Sequence, residues 1–223
     1  VELNILCMDN GSVKTRLTVV GLGGIGSNLV ELLVPALEKI GVAMEIYLMD
    51  GDIVEEHNLG HQRYTSKDIG ENKVMSLVRR FEDLNNVKLT PITENLRTAS
   101  QLVDSEMVIV CVDRPEPRRL VHNSVPVWLD LRCSGDGYVA LSSDSDCELV
   151  TMMTPNHEPK SCQISGALEV GNIEFGFAVA SAIGAQWAVQ KIRKLITPTE
   201  VLGSITYGQL KFPDMSNKME LKQ

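Results

Sequence analysis

The chain has 223 residues, of which 43% are apolar, enough for a sizeable hydrophobic core and against a disordered chain. Its 21 basic and 29 acidic residues give a net charge of -8 without any basic block, so we do not expect a nucleic-acid partner. The first residues carry no signal-peptide pattern and no run of 18 apolar residues occurs, so we expect a cytoplasmic protein without a membrane span.

The first half of the chain alternates predicted strands and helices. The pattern predicts strands over residues 13–20, 44–50, 87–92 and 105–113, and helices over residues 27–40 and 72–85. Pro35 is expected to kink the first helix without dividing it. The fourth strand is an unbroken apolar run, which is typical of a central parallel strand buried on both faces. This order predicts a Rossmann-like, doubly wound α/β fold with a mainly parallel sheet and helices on both faces.

The second half is predicted to continue the same layers. It contains a short helix that ends near residue 123, two strands, a loop with two prolines and a final helix rich in small residues. These last four elements are expected over residues 125–133, 137–144, 154–163 and 174–196. No repeat, linker or low-complexity segment interrupts the pattern, so residues 1–223 are predicted to form a single domain. The five cysteines form no CxxC pair, so neither a disulfide framework nor an all-cysteine zinc site is expected.

A glycine-rich turn follows the first predicted strand. Its four glycines are Gly21, Gly23, Gly24 and Gly26. Glycine lets a phosphate approach the backbone, and the helix that follows presents free amides and a positive dipole end. Asp50 closes the second predicted strand, where a carboxylate can accept the ribose hydroxyls of a nucleotide. These features suit both NAD and ATP.

The polar segment over residues 52–73 helps to decide between NAD and ATP. It contains Asn58, Gln62 and Lys73, a set of polar donors that a dehydrogenase does not need. A triphosphate does need such donors, because negative charge builds on the departing pyrophosphate. Asp113 closes the fourth strand at the mouth of the sheet, with Arg118 a little over one helical turn beyond. The segment therefore favours ATP.

Taken in order, these motifs resemble the ThiF/MoeB/HesA adenylyltransferases, bacterial relatives of the ubiquitin-activating enzymes. The family shows a GxGGxGS turn, a DxD strand end, an NLxRQ motif, a GxxK lysine and a second aspartate followed by arginine. This chain has "GLGGIGS", "DGD", "NLGHQ", "GENK" and "VDRPEPR" in that order. The resemblance runs from about residue 17 to 195, and it is closest to a short stand-alone variant without the family's zinc site.

The resemblance implies roles for the residues that match the motifs. The four glycines would border ATP, Asp50 would hold the ribose, and Asn58 and Lys73 would contact the phosphates. Asp113 would serve the Mg2+ that accompanies ATP. Members of the family adenylate the C-terminal glycine of a small β-grasp, ubiquitin-like or sulfur-carrier protein that ends in Gly-Gly, and they commonly work as homodimers.

Three features either depart from the family pattern or have a role that the pattern does not decide. His61 stands where the family has the arginine of NLxRQ, and either His61 or the nearby Arg63 would face the phosphates. The CxxC pairs of the family's zinc site are missing, so no metal other than Mg2+ is expected. Cys162 lies where some relatives carry a cysteine that receives the acyl group or sulfur, with Lys160 close enough in sequence to supply a positive charge. The alternative is a loop cysteine without a chemical role.

Two further functions stay open from the residues. His61 in place of arginine is also compatible with a weakly active or inactive nucleotide-binding scaffold that acts with a paralogous partner. An NAD-dependent oxidoreductase would use the glycine turn and Asp50 but would leave the segment over residues 52–73 unexplained.

Overall fold

The computed structural model describes residues 15–154, except 42, 82 and 136, and residues 175–196. Six strands form one sheet in this part of the chain: β1 (Thr15–Val20), β2 (Met44–Met49), β3 (Val87–Ile92), β4 (Met107–Val110), β5 (Val127–Ser134) and β6 (Gly137–Ser142). The α-helices are α1 (Gly24–Ile40), α2 (Lys73–Val78), α3 (Pro115–Ser124), α4 (Cys147–Met153) and α5 (Gly176–Ile196). Short 3-10 turns lie at Glu56–Asn58, Ser66–Asp68 and Ala99–Leu102.

The sheet has the strand order β3-β2-β1-β4-β5-β6. The first five strands in this order are parallel, and β6 pairs antiparallel with β5. The chain moves outward in one direction from β1 and then returns to the other side with β4. The carboxyl ends of β1 and β4 therefore border the crevice in which doubly wound sheets bind ligands.

Both faces of the sheet are covered, and each face has its own apolar core. Leu17, Val19 and Ile109 point into one core together with α1, α2 and α5. Val20 and Val108 point into the other, which α3, α4 and the turn at Ala99–Leu102 close. Neighbouring strand residues alternate between the two cores because successive side chains point to opposite faces. The predicted Rossmann-like, doubly wound fold is confirmed.

The helix after the glycine turn begins earlier than the sequence pattern predicts. The prediction placed its start at residue 27, but α1 begins at Gly24, with Gly23 as its N-cap residue. The pattern misses this first turn because it contains Gly24 and Gly26, and glycine has a low helix propensity. The helix runs through Pro35 without dividing, as predicted, and Gly41 ends it with φ of 74°.

The second predicted helix is wrong in its length. The prediction extended it to residue 85, whereas α2 ends at Val78. The N–H groups of Arg80 and Phe81 donate to carbonyls three residues back, which tightens and closes the helix. Farther on, the Glu38 carboxylate accepts the N–H groups of residues 85–87 and so replaces the bonds that a longer helix would make.

The remaining differences concern element ends and one missed helix. β4 ends at Val110, three residues before the predicted end, because its partner β1 ends at Val20 and enters the glycine turn. Helix α4 was not predicted; the Asp146 side chain caps it by accepting the N–H groups of Glu148 and Leu149.

Candidate functional site

The glycine turn after β1 is shaped by close backbone contacts. Gly21 has φ of 88°, a conformation that favours glycine, and a Cβ there would lie 2.8 Å from Cγ1 of Val112. A Cβ on Gly26 would overlap the carbonyl oxygen of Gly21. These two glycines therefore let α1 pack tightly on the turn and let the turn pack against the chain that leaves β4.

Gly23 leaves the start of α1 open, whereas Gly24 lets His61 pack closely against it. A Cβ on Gly23 would meet no atom within 4 Å among the described residues, and Gly23 gives α1 no side-chain cap. A Cβ on Gly24 would lie 3.1 Å from Cδ2 of His61. The first amides of a helix lack intrahelical partners and carry the positive end of its dipole, so this uncapped start suits an anion.

Asp50 holds the glycine turn from the end of β2. Its Oδ2 accepts the Leu22 N–H at 2.6 Å, and its Oδ1 accepts the Asp52 N–H at 2.8 Å. Burial raises the pKa of Asp50, while the hydrogen bond from Leu22 and the charge of Lys73 oppose that rise. Each carboxylate oxygen retains another lone pair. The sequence pattern predicted that Asp50 contacts the ribose, but it did not predict that the Asp50 carboxylate also stabilises the glycine turn.

Lys73 is the first residue of α2, and its side chain is buried with 9% exposure. Its Nζ lies 3.4 Å from Oδ2 of Asp52, whose own side chain is 60% exposed. Burial is the main influence on the pKa values of Asp50 and His61; the positive charge of Lys73 opposes the rise at Asp50 and adds to the fall at His61. A buried cation thus faces the carboxyl edge of the sheet.

Asn72 positions this lysine, and the sequence analysis did not identify it. Its Oδ1 accepts the N–H groups of Val74 at 2.9 Å and Met75 at 3.4 Å, which caps α2. Its Nδ2 donates to the backbone carbonyls of Asp50 and Asp52. Asparagine directly before a helical pattern is a known N-cap signal and would have predicted the cap.

Asn58 and Arg63 both have protein partners. Asn58 is buried, and its Oδ1 accepts the Glu55 N–H at 2.9 Å within the turn that it ends. Arg63 donates from Nε to Oδ1 of Asn28 at 2.7 Å and lies 3.6 Å from Glu31, so its guanidinium lies along α1. A phosphate contact by either residue stays a prediction.

His61 packs over the beginning of α1. Its ring lies edge-on to Phe177 at 6.1 Å between centroids, and its buried Nδ1 has no hydrogen-bond partner among the described residues. Burial lowers the pKa of His61, and the charges of His57 and Lys73 lower it further. The ring is therefore neutral at pH 7, unlike the arginine of the family motif.

Asp113 lies on the chain between β4 and α3 and directly follows Val112, against which Gly21 of the glycine turn packs. It is exposed, whereas the neighbouring Arg118 is largely buried. Among the described residues, no group of three His, Cys, Asp or Glu side chains could hold a metal ion. Cys162 and Lys160 lie outside the described residues, as do Cys7 and His157.

A cleft of about 590 Å³ adjoins the end of β2, and the sequence analysis missed it. It lies between Gly51 and the chain after β3, where Asn95, Arg97 and Gln101 line it. Asn95 accepts the Gly51 N–H at 3.2 Å, and a Cβ on Gly51 would lie 2.9 Å from the Asn95 Nδ2. The cleft is therefore directly beside Asp50.

Residues 12–220 match the sequence model of the ThiF family. A Saccharomyces cerevisiae protein described as "Ubiquitin-activating enzyme E1-like" is 29% identical over 137 residues, which covers 56% of this chain and 21% of that protein. The chain therefore spans about a fifth of this relative.

Solved structures give the same fold. A crystal structure of PaaA matches with a TM-score of 0.57 and 19% identity, covering 80% of this chain and 55% of that one. Escherichia coli MccB, crystallised with AMPCPP and MccA, matches with a TM-score of 0.56 and 17% identity, covering 81% and 56%. This chain spans about half the length of both. Within the described residues, no helix has the length and apolar character needed to cross a bilayer.

Proposed function

The chain belongs to the ThiF family, and on that premise we propose that it is an ATP-dependent adenylyltransferase. Its substrate in this proposal is the C-terminal glycine carboxylate of a ubiquitin-like or sulfur-carrier protein, a small β-grasp protein that ends in Gly-Gly. The E1-like relative and the MccB structure with AMPCPP support this choice of chemistry.

The observation that carries the proposal is the buried cation beside an uncapped helix start. Lys73 and the first amides of α1 lie at the same edge of the sheet. Asp50 links the two elements, because its side chain accepts the Leu22 N–H and its carbonyl accepts a hydrogen bond from Asn72, the N-cap residue of α2. Phosphates placed there would gain a charge-assisted bond and the helix dipole. The ribose would lie at Asp50, and the base would extend into the cleft beside Gly51.

The reaction transfers an adenylyl group. One oxygen of the substrate carboxylate attacks the α-phosphorus of ATP, an acyl-AMP anhydride forms, and the bond to the β-phosphate breaks to release pyrophosphate. A terminal carboxyl group is already ionised at neutral pH, so no general base is required. Lys73 and the α1 amides act by stabilising the negative charge that builds on pyrophosphate.

The residues at the site fit Mg2+ as a companion of ATP. Asp113 presents one exposed carboxylate, and Mg2+ commonly takes one or two carboxylates while phosphates and water supply its other ligands. When bound, Mg2+ would neutralise charge on the triphosphate. Asp113 would hold it at the carboxyl end of β4.

His61 supports a second candidate function, a scaffold that binds nucleotide without efficient transfer. Its neutral ring offers one hydrogen bond where arginine would offer a permanent charge. Under this alternative, wild-type protein would bind ATP without turnover, and the His61→Arg variant would gain activity.

Four broader expectations belong to the same proposal. The protein would act as a homodimer in the cytoplasm, and residues 1–223 would form one domain. After adenylation, the sulfur of Cys162 would attack the acyl carbon, form a thioester and release AMP.

Exchange of labelled pyrophosphate into ATP, with the cognate carrier protein present, tests the adenylation step. We expect Lys73→Met and Asp113→Ala to reduce exchange by about 10²-fold or more, because each removes stabilisation of the transition state. Lys191→Met is the matched control, because Lys191 on α5 pairs at 3.0 Å with the exposed Asp144 and takes no part in the proposed site. Undiminished exchange in Lys73→Met, or equal losses in Lys191→Met, would contradict the proposal.

A further inference from the structure

Arg118 makes an unusual pair of contacts with the chain that carries Asp113. Its Nε donates to the carbonyl oxygen of Val112 at 3.1 Å, and its Nη2 donates to the same oxygen. The Val112 carbonyl belongs to the same planar peptide group as the Asp113 nitrogen. Two donors on that oxygen therefore set the direction in which the chain enters Asp113.

Within the described residues, few other hydrogen bonds restrain this stretch of chain, although Val112 packs against the glycine turn and one core. The Cys111 N–H donates to the Val20 carbonyl at 2.8 Å, the last ladder bond beside β4. Arg114 is the N-cap residue of α3 but makes no side-chain cap, and Pro115 has no N–H group. Asp113 and Arg114 are both exposed. Arg118 therefore restrains this segment in place of the side-chain cap that α3 lacks.

Arg118 is itself oriented by a buried carboxylate on β5. Asp130 is fully buried and lies 3.6 Å from the Arg118 Nε through its Oδ1. The carboxylate also accepts hydrogen bonds from His122 at 3.1 Å and from Arg132 at 3.1 and 2.5 Å. Asp130 pairs in register with Val110, the last residue of β4, so the cluster lies beside the end of that strand.

Burying the charges of this cluster costs free energy, because it removes them from water, and their mutual pairing has to offset that cost. Burial raises the pKa of Asp130, but the hydrogen bonds from His122 and Arg132 outweigh that effect and keep the carboxylate ionised at neutral pH. An apolar set of similar volume is often as stable as a buried ion pair, or more so. Retaining two arginines and one carboxylate at the end of β4 points to a role beyond stability.

We infer that Arg118 is a positioning residue for Asp113: held by Asp130, it fixes the Val112–Asp113 peptide so that the Asp113 carboxylate meets the magnesium ion of ATP. The inference rests on the proposed function. It assigns Arg118 no contact with ATP, since its guanidinium is occupied by Val112 and Asp130.

The test compares ATP binding by calorimetry in excess Mg2+ and in EDTA for Arg118→Met, Arg118→Lys and the control Arg119→Met. Removing a supporting partner of a metal ligand typically weakens metal affinity by about 10-fold or more. We therefore expect Arg118→Met to bind ATP about 10-fold more weakly in Mg2+ and within about twofold of wild type in EDTA. Arg118→Lys has a single ammonium in place of the planar guanidinium, so its ATP affinity in Mg2+ should lie between those of wild type and Arg118→Met. Arg119 is on the same helix and lies 3.9 Å from Glu116, so its variant should match wild type.

Equal weakening in Mg2+ and EDTA would overturn the inference, because it would indicate a general structural effect. So would unchanged binding in both. Thermal unfolding is measured on every variant, and Arg118→Lys provides the comparison if Arg118→Met does not fold.

A second readout requires no nucleotide and separates this inference from the proposed function. The backbone order parameter of Asp113, measured by ¹⁵N relaxation, should fall from about 0.85 toward 0.6 in Arg118→Met but not in Arg119→Met. An unchanged order parameter would contradict positioning by Arg118. If wild-type protein binds no ATP at all, the proposed function fails, while this measurement still decides whether Arg118 orders Asp113.

Discussion

Asp50 and the glycines after β1 set the shape of the crevice at the scale of single residues. The Asp50 carboxylate fixes Leu22 by a hydrogen bond of 2.6 Å, while Gly21 and Gly26 allow backbone contacts that any side chain would block. Asp50 therefore has a local structural role besides the ribose contact proposed for it. A loss of nucleotide binding in an Asp50 variant would combine both effects, so glycine substitutions give a cleaner test of the turn.

Gly26→Ala should destabilise the protein by about 2 kcal/mol or more, because the added methyl group overlaps the Gly21 carbonyl oxygen in a rigid turn. Gly23→Ala is the control, since its Cβ would meet no described atom within 4 Å. Its cost should stay below about 1 kcal/mol, the usual effect of alanine at an N-cap. Urea denaturation of both variants measures the difference, and equal stabilities would show that the turn is not packed as described.

Helix α2 links the stability of one element to the proposed chemistry. It has six residues, too few to be stable alone, so its cap and its packing have to hold it. Asn72 caps the helix and also ties it to the carbonyls of Asp50 and Asp52. Because Lys73 follows directly and its own N–H donates to the Asp52 carbonyl at 2.9 Å, Asn72 and Asp52 together set where its ammonium lies.

Asn72→Ala should therefore cost about 1 to 2 kcal/mol of unfolding free energy, the usual range for a lost N-cap side chain. Asn72→Ser keeps a capping oxygen but loses the amide that donates to the strand end, so it should recover part of that loss. Denaturant unfolding measures stability, and ATP calorimetry should show weaker binding in Asn72→Ala. A variant with wild-type stability would indicate that α2 does not depend on this cap.

At the scale of the whole molecule, one sheet separates two apolar cores. Trp187 belongs to α5 and is buried in the core that α1 and α5 cover. Trp128 belongs to β5 and is buried in the core that α3 covers, where it stacks on His122. Since both cores share the same six strands, neither face can lose its packing while the sheet stays intact. The described residues should unfold as one cooperative unit.

Single-tryptophan variants test this cooperativity. Trp187→Phe leaves fluorescence from the α3 face, and Trp128→Phe leaves fluorescence from the α1 face. Within each variant, the fluorescence and far-UV circular dichroism transitions in urea should coincide, as expected for two-state unfolding. Separate midpoints in either variant would show that the two faces unfold independently.

Much of this architecture is predictable from periodicity. Apolar runs and the glycine turn predicted the strands, their sequence along the chain and helices on both faces, because burial on both sides of a parallel sheet leaves a clear pattern. The shorter α2 was not predictable from the local pattern, since the segment predicted to continue it donates its N–H groups at residues 85–87 to Glu38, more than 40 positions away. The buried contacts of Arg118 with Asp130 were hidden for the same reason, because no local pattern reveals which distant charge a side chain meets.

Within the candidate site, the motifs predicted which residues lie at one edge of the sheet, whereas the partners of each side chain were not predictable. The order of the motifs predicted that Asp50, Lys73 and the glycines share one edge of the sheet, and the structure has them at that edge. It could not tell that Arg63 lies along α1 beside Asn28, or that burial keeps His61 neutral. Those properties depend on the tertiary surroundings of each side chain.

A crystal structure of the protein with Mg2+ and a non-hydrolysable ATP analogue tests the central claim most directly. We expect the phosphates at the start of α1 near Gly23 and Gly24, with the Lys73 Nζ within hydrogen-bond distance of a phosphate oxygen and the ribose at Asp50. The account is contradicted if the nucleotide binds elsewhere, or if Lys73 stays paired with Asp52 and touches no phosphate.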